Sequence, residues 1–259
     1  MSFSIYLSLI ILAIVQGLTE WLPISSSGIL VVLEELINLK DKNLNLLFNI
    51  SVHTGSLIAV MLFFKKDILN ILNNLKLAQN IIIATIPVVI FGLIVKISNI
   101  NFFLQNIKVV AIATIFFSII LYFSDKTKIL KKFDKNISNK NALYIGLAQV
   151  LALIPGTSRS GITITCARYL GFSRIDSAKF SFLISIPTLL AATVLGIGDV
   201  IINFSTEIIM ILLIGFFFSL IASLICIKFF LSFVEKNNLT IFVILRLVLG
   251  ISLLFFSFS

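Results

Sequence analysis

The chain has 259 residues, of which 59% are hydrophobic and only 12% charged, with 25 phenylalanines against a single tryptophan. So little charge excludes an ordinary soluble domain and fits a polytopic membrane protein. The formal charge of +9 raises nucleic acid as a partner, but the lysines gather between apolar runs, in "KKDILNILNNLK" (Lys65 to Lys76) and "DKTKILKKFDKNISNK" (Asp125 to Lys140). Short lysine-rich loops mark the cytoplasmic side, so no nucleic-acid face is predicted.

In chain order the apolar runs are roughly Ser4–Leu18, Leu46–Phe64, Ile81–Val95, Val109–Phe123, Leu143–Leu153, Phe180–Ile197, Ile208–Phe230 and Ile241–Phe258. Backbone amides in hydrocarbon need internal partners, so all are predicted to be helical. The first run lacks a basic leader and a small-x-small cleavage site, and is expected to be mature structure. The stretches near 98–106 and 202–206 are almost free of cations and fall on the face opposite the lysine-rich loops. This charge pattern predicts an outer N-terminus.

Two segments break the apolar pattern and repeat each other. "PISSSG" at Pro23 is echoed by "PGTSRSG" at Pro155, and "FNISVHTGSLIAV" at Phe48 by "FSFLISIPTLLAA" at Phe180. Both pairs share an offset, 155 − 23 = 132 and 180 − 48 = 132. Three crossings separate the Phe48 and Phe180 helices, so the second copy enters from the opposite face. The prediction is a single integral domain, 1–259, all-α, with repeat one at about 1–124, a basic loop at 125–140 and repeat two at about 141–259. Each repeat opens with a re-entrant hairpin, and the two tips meet near the bilayer midplane.

A helix restarting after a serine-rich turn offers unpaired N–H groups and a positive dipole end, which together favour an anion. Ser25, Ser26, Ser27 and Gly28 of the first tip, with Thr157, Ser158 and Ser160 of the second, are therefore candidate substrate-binding residues. Arg159 adds a permanent charge and a planar fork suited to phosphate. Glu20 is an ionisable group inside a membrane segment, costing about 2.5–3.5 kcal/mol on insertion scales, and such groups are kept for function or pairing. Gln16 lies one turn earlier on the same face. A carboxylate here either holds a divalent cation that bridges phosphates or accepts a proton from an attacking hydroxyl. Ser26 is the first candidate nucleophile and Ser25 the second, with activated water as the alternative.

"QGLTEWLPISSSG" and "PGTSRSG", in this order and half a chain apart, resemble the signature segments of the undecaprenyl-diphosphate phosphatases of BacA (bacitracin-resistance) type, and "HTGSLIAVMLFFKKDI" extends the likeness. The resemblance implies an inner-membrane hydrolase of a polyprenyl diphosphate, with an outward-facing site, a divalent cation (Mg²⁺ or Ca²⁺) and a role in envelope synthesis. It matches Glu20, Ser25, Ser26 and Arg159 to the family's functional positions. Two positions vary: Gln16 stands where family members carry Glu or Gln, and Ile29 where many carry histidine. The one histidine is His53, for which sequence leaves catalytic and packing roles open.

Plainer roles are expected elsewhere. Gly55, Ser56 and Gly92 suit close helix packing. Cys166 and Cys226 suit buried packing, Arg168, Arg174 and Lys179 suit a cytoplasmic loop, and Glu34 and Glu35 suit the interface. Membrane lipid is the surrounding partner, and a homo-oligomer is left open. The competing class is a lipid-phosphate transporter or a weakened binder, because inverted repeats with broken helices also build transporters.

Overall fold

The computed structural model describes residues 3–26, 29, 42–71, 74–98, 106–131, 137–197 and 206–258. Ser27, Gly28, Glu34 and Glu35, and with them the returning arm of the first predicted hairpin, lie outside the described residues. Ten α-helices are described: α1 (Phe3–Thr19), α2 (Lys42–Phe63), α3 (Lys65–Ile71), α4 (Leu75–Ser98), α5 (Ile107–Asp125), α6 (Asn139–Val150), α7 (Arg159–Tyr169), α8 (Arg174–Ile197), α9 (Thr206–Lys236) and α10 (Thr240–Phe256).

Five of these, α2, α4, α5, α8 and α9, are long and apolar enough to cross a membrane. The shorter α1 and α10 are equally apolar. The protein is therefore an all-helical polytopic membrane protein. Its outer surface agrees: Ile82, Ile86 and Ile90 on α4, and Ile221, Ile225 and Phe229 on α9, form exposed apolar stripes at every fourth residue. Such stripes would be an aggregation hazard in water and are the normal solution in lipid.

Several helices begin before the apolar runs do, because their first turns are polar. α8 starts at Arg174, where Ser173 accepts from the Asp176 amide at 3.1 Å and donates to its carboxylate at 2.8 Å. α6 starts at Asn139, capped by Ser138, whose hydroxyl accepts from the Asn141 amide. α6 and α7 have 12 and 11 residues, far short of the ~20 that a crossing needs. A short 3₁₀ turn, Leu151–Leu153, and the loop up to Ser158 connect them.

Helix starts repeat at the offset seen in the motifs. α8 follows α2 by 174 − 42 = 132 residues, α9 follows α4 by 206 − 75 = 131, and α10 follows α5 by 240 − 107 = 133. Packing repeats with them: α1 lies on α9 as α6 lies on α4, and α2 on α9 as α8 on α4. The pairs α2–α8 and α5–α10 each join one half to the other. The halves are interleaved, so neither buries its apolar surface alone.

Small residues let these helices approach. Ser56 shares hydrogen bonds with Ser219 (2.9 Å) and Ser223 (3.0 Å), and these donate onward to the carbonyls of Val52 (2.7 Å) and Gly17 (3.1 Å). This buried hydroxyl ladder ties α1 and α2 to α9. A Cβ on Gly17 would lie 2.6 Å from the Ser219 carbonyl oxygen, and one on Gly55 would strike that of Phe216. Gly92 differs from expectation, since a Cβ there meets only Leu153 at an ordinary 3.9 Å. Gly55→Ala is predicted to cost about 1–3 kcal/mol through overpacking, and Gly92→Ala to stay within about 0.5 kcal/mol of wild type. Thermal unfolding of the two variants in detergent checks this; equal melting points would refute the packing account of Gly55.

Candidate anion site

α1 runs into the first motif segment, QGLTEWLPISSSG. Near the end of α1, Gln16 donates from Nε2 to Oε2 of Glu20, the residue just past the helix, at 3.0 Å. The other oxygen of that carboxylate, Oε1, accepts from Arg159 Nη2 at 2.9 Å. Both partners are largely shielded, with side chains 9% and 13% exposed. The first residue of α7 is thereby clamped to the end of α1 across 139 positions of chain. Arg159 Nη1 also donates to the Ser181 carbonyl on α8 at 3.2 Å, and its guanidinium lies 5.5 Å from the Trp21 ring. Trp21 is fully buried against Phe182, and among the described residues its indole N–H has no hydrogen-bond partner.

The turn before α7 is built for tight geometry. Gly156 takes φ +96°, and a Cβ there would strike the Val110 carbonyl, so only glycine fits. Ser158 caps α7, accepting from the Gly161 amide at 3.2 Å, with φ +67°. Backbone strain of this kind gathers at functional sites. The first N–H groups of α7 take no intrahelical partner, which leaves its N-terminus as a place for negative charge.

The two motif segments touch. Ser160 donates to the Leu22 carbonyl at 2.8 Å, so its hydroxyl fastens one segment to the other and also sits 3.3 Å from that of Ser158. Thr157 is fully buried, with no partner for its hydroxyl among the described residues. Ser25 is fully buried and Ser26 half-buried, while Ser27 and Gly28 lie outside the described residues. Gln16, Glu20, Arg159 and Ser160 are thus drawn together by hydrogen bonds across the two segments.

Four further residues, His53, Thr163, Ser181 and Arg246, join the site. His53 Nδ1 on α2 lies 3.8 Å from Glu20 Oε2. Ser181 and Thr163 share a hydrogen bond of 2.7 Å beside Arg159. Arg246, on α10, is fully buried and donates to the carbonyls of Gly156 (3.1 Å) and Thr157 (2.9 Å). A lone arginine inside the last apolar run was the signal for it, since ionisable residues in membrane helices are functional by default.

A second polar cluster occupies the other end of α7, about 16 Å away at 1.5 Å per residue. Asp125 accepts from Arg174 Nε at 2.6 Å and from the Leu239 amide at 2.9 Å. Arg168 donates to the carbonyls of Asp125, Thr127 and Phe172. As expected of Arg168 and Arg174, these bonds hold the lysine-rich loop against α7 and α8.

A fold of interleaved membrane helices, enclosing a buried arginine and strained serine-rich turn, defines an integral membrane protein. Known sequences place it more closely: residues 9–252 match the family model "Bacitracin resistance protein BacA", and the chain belongs to that family. An undecaprenyl-diphosphatase of Pelagibacter ubique (strain HTCC1062) is 43% identical over 252 residues, covering 97% of both chains. One of Aliivibrio salmonicida (strain LFI1238) is 42% identical over 267 residues, covering 96% of this chain and 97% of its own.

Removing Arg159 leaves the Glu20 carboxylate shielded and uncompensated, so Arg159→Met is predicted to cost about 3–5 kcal/mol. In Glu20→Gln/Arg159→Met most of that loss should return. A denaturation cycle in detergent checks the coupling; strictly additive losses would show that the two groups do not interact.

Proposed function

We propose that this chain hydrolyses undecaprenyl diphosphate to undecaprenyl phosphate and inorganic phosphate, recycling a lipid carrier of cell-envelope synthesis. The observation that carries the reading is the clamp between Glu20 and Arg159 at the N-terminus of α7, in a chain more than 40% identical to two undecaprenyl-diphosphatases. The reaction breaks the anhydride P–O bond, with water supplying the oxygen gained by the released phosphate. It requires positioning and charge neutralisation more than covalent invention.

Arg159 and the first amides of α7 hold the diphosphate, with Thr157, Ser158 and Ser160 shaping the turn. Ser26 is the first candidate nucleophile because it is half-buried, whereas Ser25 is fully buried. Attack by Ser26 would give a phosphoseryl intermediate that water then opens; direct attack by water is the alternative. Glu20, freed from Arg159 as substrate phosphate takes its place, is the base within reach of this turn.

The residues also fit a divalent cation in a limited way. Gln16 Oε1 is buried without a partner and lies on the residue that contacts Glu20. No cluster of three or more His, Cys, Asp or Glu is present among the described residues. A cation would therefore take Glu20 and Gln16 oxygens and share the rest with substrate and water, an arrangement Mg²⁺ accepts more readily than Ca²⁺. Bound there, it would offset charge on the phosphoryl oxygens.

Two short helices meeting a tight turn, with repeated packing at one offset, support re-entrant hairpins in an inverted repeat. The lysine-rich segment at the far end of α7 supports an inner-membrane orientation with the site open outward. Maleimide that cannot cross membranes should label Lys128→Cys only in opened cells; labelling of intact cells would reverse the orientation. The same repeated packing is found in secondary transporters, and turnover separates the two classes.

The deciding assay is phosphate release from farnesyl diphosphate by purified protein in detergent, with and without Mg²⁺. Release should fall by at least about 10²-fold in Arg159→Gln and Glu20→Gln, the scale of losing one transition-state donor, and Ser26→Ala separates serine attack from water attack. Ile29→His should change the rate by less than about 10²-fold, the low end of general acid–base effects. A folded wild-type protein that moves or binds the diphosphate without releasing phosphate would overturn the hydrolase.

A further inference from the structure

Arg246 stands out as a charge without a counter-charge. It is fully buried on α10, and among the described residues no carboxylate lies within ion-pairing distance. The other buried arginine, Arg168, has Asp125 at 3.8 Å, and Arg159 has Glu20 at 2.9 Å. Arg246 Nη2 bridges the carbonyls of Gly156 and Thr157, and Thr114 adds a bond of 3.2 Å to the first of these. Its Nη1 and Nε are buried without partners. Nη1 is pressed against the first turn of α7, where a Cβ on Gly161 would lie only 2.7 Å from it.

Two consequences follow from this placement. Carbonyls bonded to Arg246 are held on its side of the turn, which helps keep the chain in the conformation where Ser158 takes φ +67°. A guanidinium buried in apolar surroundings also keeps its field, because little water screens it there. Its charge adds to the positive end of α7, of which Arg159 is the first residue. The turn is thus flanked by two arginines, one of them balanced by a carboxylate and one not.

We propose that Arg246 is a positioning residue of the anion site: its Nη2 holds the 155–161 turn through two carbonyls, and its uncompensated charge sets the affinity of that turn for a diphosphate. The assignment rests on reading the turn as the diphosphate site. An anion arriving there supplies the counter-charge that Arg246 lacks, so binding is strengthened through the loop without direct contact with the guanidinium. Positive charge at residue 246 matters more than its shape.

Inorganic pyrophosphate binding to the full chain in detergent, measured by calorimetry, tests this without turnover. Arg246→Met should bind at least tenfold more weakly than wild type, while Arg246→Lys stays within about threefold, and the KM for farnesyl diphosphate should follow the same order. A purely structural arginine would make Lys and Met equally poor. Weakening of less than tenfold in folded R246M, or of more than threefold in R246K, overturns the proposal; if R246M does not fold, R246K alone decides. Wild-type protein that binds pyrophosphate yet releases no phosphate would remove the hydrolase reading and leave this one standing. Turnover by wild type, with unchanged binding in R246M, would remove only this one.

Discussion

The structure depends on placing opposite charges where lipid would otherwise be. Glu20 and Arg159 come from different halves of the chain, and each would be costly alone at that depth. Their bond therefore does more than join α1 to α7. It requires the strained turn before α7 and the broken end of α1 to arrive together, because either charge without the other is penalised. A pair of this kind contributes little net stability compared with an apolar substitute. Its cost is consistent with a site that has a use for separated charge.

The surrounding packing holds that pair in position without itself being chemical. The hydroxyl ladder of Ser56, Ser219 and Ser223 sets the end of α1 against α9, only three residues before Glu20 in the case of Gly17. On the other side, Asp125 gathers Arg174 and the start of α10, while Arg168 ties the end of α7 to α5. α7 is thus fixed at both ends, by the site at Arg159 and by the lysine-rich side at Arg168. Transmembrane association relies on such close contacts and internal hydrogen bonds, since lipid gives helices no hydrophobic reason to meet.

Much of this was legible from residue order alone. Apolar runs marked the spanning helices, and the shared offset of two weak motifs anticipated the repeated packing of α1, α2 and α4 with their counterparts. Boundaries were harder, because the polar first turns of α6 and α8 carry their helical signal in Ser138 and Ser173 rather than in hydropathy. Partnerships were hardest. Ser160 looked like a ligand donor, but its hydroxyl reaches the Leu22 carbonyl, a contact 138 positions away in sequence. Arg246 and His53 were visible as isolated polar residues in apolar helices, yet only the fold shows which turn or carboxylate each one faces.

Ile29 illustrates how such a site distributes its work. Where related sequences are expected to carry a histidine, this residue is half-buried and packs against the main apolar core. The imidazole that does approach the site belongs to His53, whose Nδ1 lies 3.8 Å from Glu20. Cleaving a phosphoanhydride releases a lipid phosphate that is already a weak base, so a proton donor accelerates the step less than charge neutralisation does. In the proposed site, the turn that carries Arg159 and is held by Arg246 would provide that neutralisation from fixed positions, before any proton moves. On that reading the histidine position serves packing, and an apolar residue in place of either arginine removes positive charge from the turn.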